Sequence, residues 1–273
     1  MGIEYRKWPI RYADLWFDEP VDSVDADVVL CHQRSAPLEA TRCQPFPTRI
    51  IDLAADEQEI FRGFSKETRR LIRKAETQDH LVYEIWMPGE WNQDQLSSFS
   101  DFFSAFSRTR HIPGIQLRYL SAWAKSACIA LSRVKYEGVD LTWDSSIVSS
   151  GIARALYGGS LQRDQSTDLS QMIGRANRYL TWSNICAFKR FGCKTYDLGG
   201  WYSGTENLEM IGINKFKEQF GGQVVTQFDC VKALTLKGRC YLALKDLRNR
   251  IREALHKAMV RAVQGSPARK LST

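Results

Sequence analysis

Arg62, Lys66, Arg69 and Arg73 stand four, three and four residues apart. At about 100° per residue, that spacing puts four cations in one narrow stripe of a helix. Ile60, Phe64, Leu71 and Ala75 fall on the opposite side, so the helix can dock by one face and present a row of charge on the other. Such a row suits phosphates, with Lys66, Arg69 and Arg73 as the contact residues and Arg70 and Lys74 widening it. A solvated charged face gives the same pattern.

A second candidate is Gln171-Met172-Ile173-Gly174-Arg175-Ala176, with Arg178 one turn further on. Placed at the start of a helix, this Q-x-x-G-x-A run would offer backbone N–H groups to an anion, and Gly174 would let it come close. Close packing of the helix on a neighbour also accounts for the glycine.

Asp197 precedes Gly199-Gly200 at the end of a short apolar run. A carboxylate there can orient or deprotonate an attacking amine, or simply shape the turn. Arg110, in the loop segment RTRHIPG, and Tyr157, in a strand-like run, are the remaining candidates for holding an acceptor. No H-E-x-x-H, G-x-S-x-G or Walker sequence is present, so hydrolase and nucleotidase chemistry lacks its usual residues, and no metal site is expected.

The elements that must position these groups read as a mixed α+β order. Residues 1–47 are expected to be irregular, and CQPFPT, ending at Thr48, to be a linker. A strand over 49–53 leads into a helix over about 56–77, a strand over 81–86 and a helix over about 94–107. Three strand-like runs follow, 127–136, 139–148 and 152–159, parted by tight turns at Glu137-Gly138 and Ser149-Ser150-Gly151. A long helix over about 170–191 closes at Gly192. Then come a strand over 194–198, a helix over about 207–220 and a strand over 223–230. The last helix, about 242–263, has an apolar stripe with Leu244, Leu247, Ile251 and Leu255. It is basic elsewhere, and it either packs on the domain or lies on an anionic membrane.

The 273 residues, 44% of them hydrophobic, suffice for a sizeable core, yet no stretch reaches the roughly 20 apolar residues of a membrane span. The first residues, MGIEYRKWPIRY, lack a signal peptide's apolar core, and Arg6 breaks the myristoylation pattern. A cytoplasmic location is therefore expected, with peripheral contact at the inner membrane face as the role for the basic helix. Seven cysteines without a CxxC pair argue against a zinc site or a disulfide framework. The net charge of +7 favours anionic partners.

The run Tyr196-Asp197-Leu198-Gly199-Gly200, followed by Phe216-Lys217 and Phe220-Gly221-Gly222, resembles the C-terminal signature of the Fem family of peptidoglycan-bridge aminoacyltransferases. The tract TRIIDL…SKETRRLIRKAE, from Thr48 to Glu76, resembles the strand and basic helix that open the family's first domain. The likeness runs from about Thr48 to Val231. The order of meander, Q-x-x-G-x-A helix and strand is also similar to the acetyltransferase (GNAT) fold, in which that turn grips the pyrophosphate of coenzyme A.

The resemblance implies an α+β fold of two acetyltransferase-like subdomains, 48–120 and 121–235, with a cleft between them and a C-terminal segment, 236–273, outside. It implies transfer of an acyl or aminoacyl group to an amine, from aminoacyl-tRNA or an acyl-coenzyme A, with no permanently bound cofactor. Lys217 matches the lysine that the family places at the reaction centre, where its charge can neutralise the oxyanion. Asp197, Gly199 and Gly200 carry over with it. Gln171, Gly174, Arg175 and Arg178 are the expected donor-phosphate residues. A non-catalytic RNA- or membrane-binding protein of the same fold is the competing reading. The oligomeric state is left open.

Overall fold

The computed structural model describes residues 2–39, 42–115, 119, 122, 125–161 and 167–264, with side chains described as far as residue 255. Ten strands form one mixed sheet: β1 (Ile3–Lys7), β2 (Ile10–Trp16), β3 (Val28–Arg34), β4 (Arg42–Asp52), β5 (Val82–Trp86), β6 (Ile129–Tyr136), β7 (Val139–Ser149), β8 (Ile152–Ser160), β9 (Thr195–Gly200) and β10 (Gln223–Ala233). Their order is β1-β2-β3-β10-β4-β9-β8-β7-β6-β5. Six helices accompany them among the described residues: α1 (Glu57–Arg62), α2 (Lys66–Thr77), α3 (Gln93–Arg110), α4 (Thr167–Arg190), α5 (Leu208–Glu218) and α6 (Leu236–Gln264).

The expected meander is present as β6–β8. Its two turns place Glu137, Gly138, Ser150 and Gly151 all at positive φ, the geometry that matches a hairpin's twist. The expected single helix over 56–77 is instead two. Gly63 ends α1, and the Ser65 side chain accepts from the Thr68 N–H at 3.1 Å to start α2.

The expectation of an irregular N-terminal segment is corrected by three strands and the start of a fourth. β2 is buried along nearly its whole length, so it shows no in–out alternation. β3 pairs with β2 on one side and with β10, about two hundred residues later, on the other. The supposed linker lies within β4. Its Pro45 and Pro47 are in register with β10, and on the other side the β9 ladder ends at Thr48, past which the Pro47 carbonyl accepts from the Trp201 N–H at 2.7 Å and no proline nitrogen has to donate. A strand tolerates proline where its nitrogen faces no acceptor.

A second correction concerns sulfur. Cys43 and Cys230 are register partners on β4 and β10 and are joined by a disulfide. Their separation of 187 residues leaves no spacing motif to read. Cys31, Cys128, Cys186 and Cys193 are buried free thiols.

Helices cover both faces of the sheet. On one, Ile72 of α2 and Ile185 and Phe188 of α4 share a core with Ile51, Leu53, Tyr196 and Phe220. On the other, Phe99 and Phe103 of α3 pack with Ile129, Leu131 and Trp143. Ile3, Trp16 and Phe17, from the far end of the sheet, join this second core, so the sheet curls until its first strands meet α3. That curl encloses the middle of the sheet, where β8 and β9 meet.

The β8–β9 pairing is parallel and short, only Ile152–Arg154 against Thr195–Asp197. Beyond it the two strands separate, which opens a wedge in the centre of the sheet.

Candidate active site

Tyr196 and Leu198 enter the helix-covered core, so the intervening Asp197 points to the opposite face. There its carboxylate is fully buried and held by three donors: the Thr48 hydroxyl, the Gln33 amide and the Gly199 N–H at 2.7 Å. Gly199 has φ +82°, a conformation that lets the chain fold back over Asp197 and that a side chain would resist.

Arg154 on β8 is the register partner of Asp197. Its guanidinium lies 5.3 Å from the Trp16 ring centroid and 5.8 Å from that of Phe46, held between two aromatic faces. Nη1 donates to the Ala155 carbonyl at 3.2 Å, while the buried Nε has no protein partner among the described residues. Burial pulls the Arg154 pKa down, with Asp197 and Asp229 opposing.

Lys217 reaches the same place from α5. Phe216 and Phe220 anchor this helix in the core, and Asn214 ties it to the loop after β9 by exchanging hydrogen bonds with the Tyr202 backbone at 3.1 and 2.7 Å. So held, Lys217 Nζ donates to the carbonyls of Gly199 at 2.9 Å and Gly200 at 2.6 Å. An ammonium has three donors, and the third is left for a ligand. Burial lowers the Lys217 pKa to about 8, with Asp197 opposing and Arg154 adding to the fall.

Lys217, Asp197, Gly199 and Gly200 therefore come together as the sequence predicts. Tyr157 lies near them on β8, its ring edge-on to Phe103 at 5.4 Å and its hydroxyl influenced by Arg154. Arg110 does not join them; it is exposed in the last turn of α3.

The expected phosphate turn is also displaced. α4 already runs from Thr167, so Gln171 and Gly174 lie inside the helix, where the ladder has claimed their N–H groups. The Gly174 carbonyl accepts from Arg178 at 2.9 Å, and Arg178 also donates to Gln219 Oε1 at 2.8 Å. Arg175 is buried in a bidentate pair with Asp79. Arg175 and Arg178 thus serve packing in this structure. On α2, Lys66 and Arg73 are exposed and Arg69 is half-buried, with Arg73 over the Phe61 ring at 5.5 Å. The helix starts beside α5, since the Ser65 N–H donates to the Gln219 carbonyl at 2.8 Å. The cation row therefore begins beside Gln219, which follows Lys217 by two residues in the chain.

Arg154, Thr48 and Gln33 were not picked out by sequence reasoning. Arg154 did leave a signal, as a lone cation inside the apolar run IARALYGG.

No protein-family model matches the sequence, and comparison with curated proteins finds no significant match. Solved structures do match. FemX superposes with a TM-score of 0.55 at 14% identity, over 67% of this chain and 61% of that one. The C-terminal domain of a putative lysylphosphatidylglycerol synthetase from Agrobacterium fabrum gives 0.50 at 15% identity, over 81% and 71%. L-PGS from Bacillus licheniformis gives 0.50 at 13% identity, over 86% and 84%.

The fold is Fem-like. It is α+β, the fold class that the Phe216-Lys217 and Tyr196–Gly200 motifs pointed to. The chain spans less than two thirds of FemX, and at these identities the likeness is one of fold. No helix among the described residues is long and apolar enough to cross a membrane.

Proposed function

We propose that this Fem-like protein is an aminoacyltransferase that forms an amide between an aminoacyl group and an acceptor amine. The observation that carries the reading is Lys217 Nζ, fixed by the Gly199 and Gly200 carbonyls at the mouth of the β8–β9 wedge. Attack of the amine on an ester carbonyl forms a C–N bond and places negative charge on the carbonyl oxygen. The third N–H of Lys217 offers that oxygen a charge-assisted donor in a partly desolvated setting. Collapse breaks the C–O bond to the donor, and the leaving oxygen takes up the proton the amine gives away. Asp197, buried and held by three donors, fixes the Gly199 backbone whose carbonyl grips Lys217.

Two features favour aminoacyl-tRNA over an acyl-coenzyme A as the donor. The Q-x-x-G-x-A segment lies inside α4, away from a pyrophosphate-binding position. The exposed cations of α2 lead away from the α5 end, as a polyanion would need. The acceptor is proposed to lie at an anionic membrane surface, because α6 exposes an apolar stripe of Leu244, Leu247, Ile251 and Leu255. The halves 48–120 and 121–235 would then bring the α2 cations and the Lys217 centre to one donor.

The deciding experiment supplies the chain with a mixture of labelled aminoacyl-tRNAs and a panel of amines, with and without prior ribonuclease. Ribonuclease-sensitive label in an amide, lost in Lys217→Ala, supports the reading. Transfer from acyl-coenzyme A esters alone would replace the donor, and no transfer from either would refute catalysis.

A further inference from the structure

Three cysteines stand in one row across the sheet. β10 lies between β3 and β4, and its Cys230 is the register partner of Cys31 on one side and of Cys43 on the other. Register partners project to the same face, with Cβ atoms about 4.5–5.5 Å apart. Cys31 and Cys230 are buried in one apolar cluster with Leu15 and Val29, and Cys43 packs against it. Cys43 and Cys230 are joined, so Cys31 is a free thiol beside a disulfide.

The lateral order decides the chemistry. A thiolate attacks a disulfide sulfur and expels the other, and the row sets Cys31 and Cys43 on opposite sides of Cys230. Attack by the Cys31 sulfur on Cys230 forms one S–S bond and breaks another. Cys43 leaves as a thiolate and takes up the proton that Cys31 gave away, so no outside oxidant or reductant is consumed. Antiparallel partners hold their Cα atoms about 4.5–5.5 Å apart, a span that a disulfide bridges, so the new bond needs little strand movement. Both ends of the exchange have polar support. The Leu38 N–H lies 3.3 Å from Cys43 Sγ, where it can hold a departing thiolate. Burial raises the Cys31 pKa and Asp14 adds to the rise, while Arg34 and Lys232 oppose it. The buried Arg34 Nε has no hydrogen-bond partner among the described residues.

The row adjoins the candidate active site. Gln33, two residues beyond Cys31, donates its backbone N–H to Asp229 at 2.9 Å and its side-chain amide to Asp197 and Gln227. Asp229 in turn precedes Cys230. The β3–β10 register shifts between Phe228 and Cys230, beside the point where Gln33 turns at φ +55°. A bond between Cys43 and Cys230 leaves that irregular seam to hydrogen bonds, whereas a bond between Cys31 and Cys230 pins it covalently.

We propose that Cys230 is the shared sulfur of a thiol–disulfide switch, bonded to Cys43 in one state and to Cys31 in the other, that sets how firmly Gln33 holds Asp197. The switch is independent of the transfer chemistry, and its test needs no transfer. The full chain is incubated in glutathione buffers at mildly alkaline pH, quenched with acid, alkylated and digested with trypsin. Cleavage after Arg34, Arg42, Arg49 and Lys217 leaves the three cysteines on separate peptides. Mass spectrometry should find Cys43–Cys230 and Cys31–Cys230 links but no Cys31–Cys43 link, because β10 separates those strands. In Cys43→Ser, oxidised glutathione should remove the Cys31 and Cys230 thiols together; in Cys31→Ser, only the Cys43–Cys230 bond should form. Closing the Cys31–Cys230 bond in Cys43→Ser should slow amide hydrogen exchange in β9 as well as in β3. Wild type that yields the Cys43–Cys230 link alone in every buffer overturns the switch, whether or not the variants fold. So does a folded Cys43→Ser that keeps both thiols free, or one whose β9 exchange is the same oxidised and reduced.

Discussion

Arg154 of β8 sits directly across from Asp197 of β9 at the last paired position before the strands part, and Lys217 feels both. Burial brings the lysine to about 8, Asp197 holds it up and Arg154 pushes it down. The ammonium is therefore mostly charged near neutrality and loses its proton above about pH 8. If its charge stabilises the oxyanion, kcat should fall on the alkaline side with that midpoint. Lys217→Ala should lower kcat by about 10²–10³ with little change in KM. Arg154→Met removes the like charge and frees Asp197 to act on Lys217 alone, so the alkaline limb should move to higher pH. A limb that stays put in Arg154→Met would break the proposed coupling.

The parts of this site that the sequence revealed are those held by local pattern. Tyr196–Gly200 and Phe216–Gly222 lie close together in the chain, and the meander turns are marked by Glu137-Gly138 and Ser150-Gly151. The parts it hid depend on long-range pairing. Gln33 reaches Asp197 from a strand whose partner β10 lies about two hundred residues away, and Thr48 follows two prolines that look like a linker. Gly174 misled because a glycine inside a helix and a glycine at its first turn look alike when the helix start is unmarked.

The Arg175–Asp79 pair separates a packing role from a phosphate-binding role. Both side chains are buried and joined bidentately. Arg175→Ala strands the Asp79 charge and should cost roughly 3–5 kcal/mol of stability. Replacing both by apolar residues, Arg175→Met with Asp79→Leu, should recover much of that loss. Thermal or urea unfolding measures both. Donor KM in the folded double variant should match wild type; a large rise would restore Arg175 to the donor site.

Asp144 predicts a stability profile of unusual sign. Burial raises its pKa to about 7, whereas in the unfolded chain it titrates as an ordinary carboxylate. The native state then holds the proton more tightly between those values, so stability is retained below the unfolded pKa and declines as pH rises towards 7. At pH 8 the cost is on the order of 4 kcal/mol at most. Asp144→Asn should therefore be more stable than wild type at pH 8 and converge with it near pH 4, as read by urea midpoints. Parallel curves across that range would show that Asp144 does not titrate in this way.

α6 sets the last prediction. Its first turns dock through Gly238, Tyr241 and Leu242 against β2 and the Asp27–Val28 backbone, and Asp246 pairs with Arg42. On another side Leu244, Leu247, Ile251 and Leu255 are 67%, 56%, 52% and 60% exposed. At 100° per residue these four span about 80° of the helix, with Arg248 and Arg252 on one flank and Arg239 and Arg250 on the other. The helix contains eight Lys or Arg against two Asp or Glu, so its net charge of +6 supplies nearly all of the chain's +7. Apolar stripe and cationic flanks together fit a helix lying in the plane of an anionic bilayer, with its long basic side chains reaching back to the headgroups. The chain should co-sediment with vesicles containing phosphatidylglycerol and much less with neutral vesicles, and added salt should weaken the binding. Each buried leucine or isoleucine is worth about 1.5–3 kcal/mol, so Leu247→Glu with Ile251→Glu should reduce binding by well over tenfold. The same double change should leave the unfolding midpoint unaltered, because both side chains face away from the sheet. Undiminished sedimentation of that variant would take the apolar stripe out of membrane contact, and a concentration-dependent dimer abolished by it would assign the stripe to a second copy of the chain.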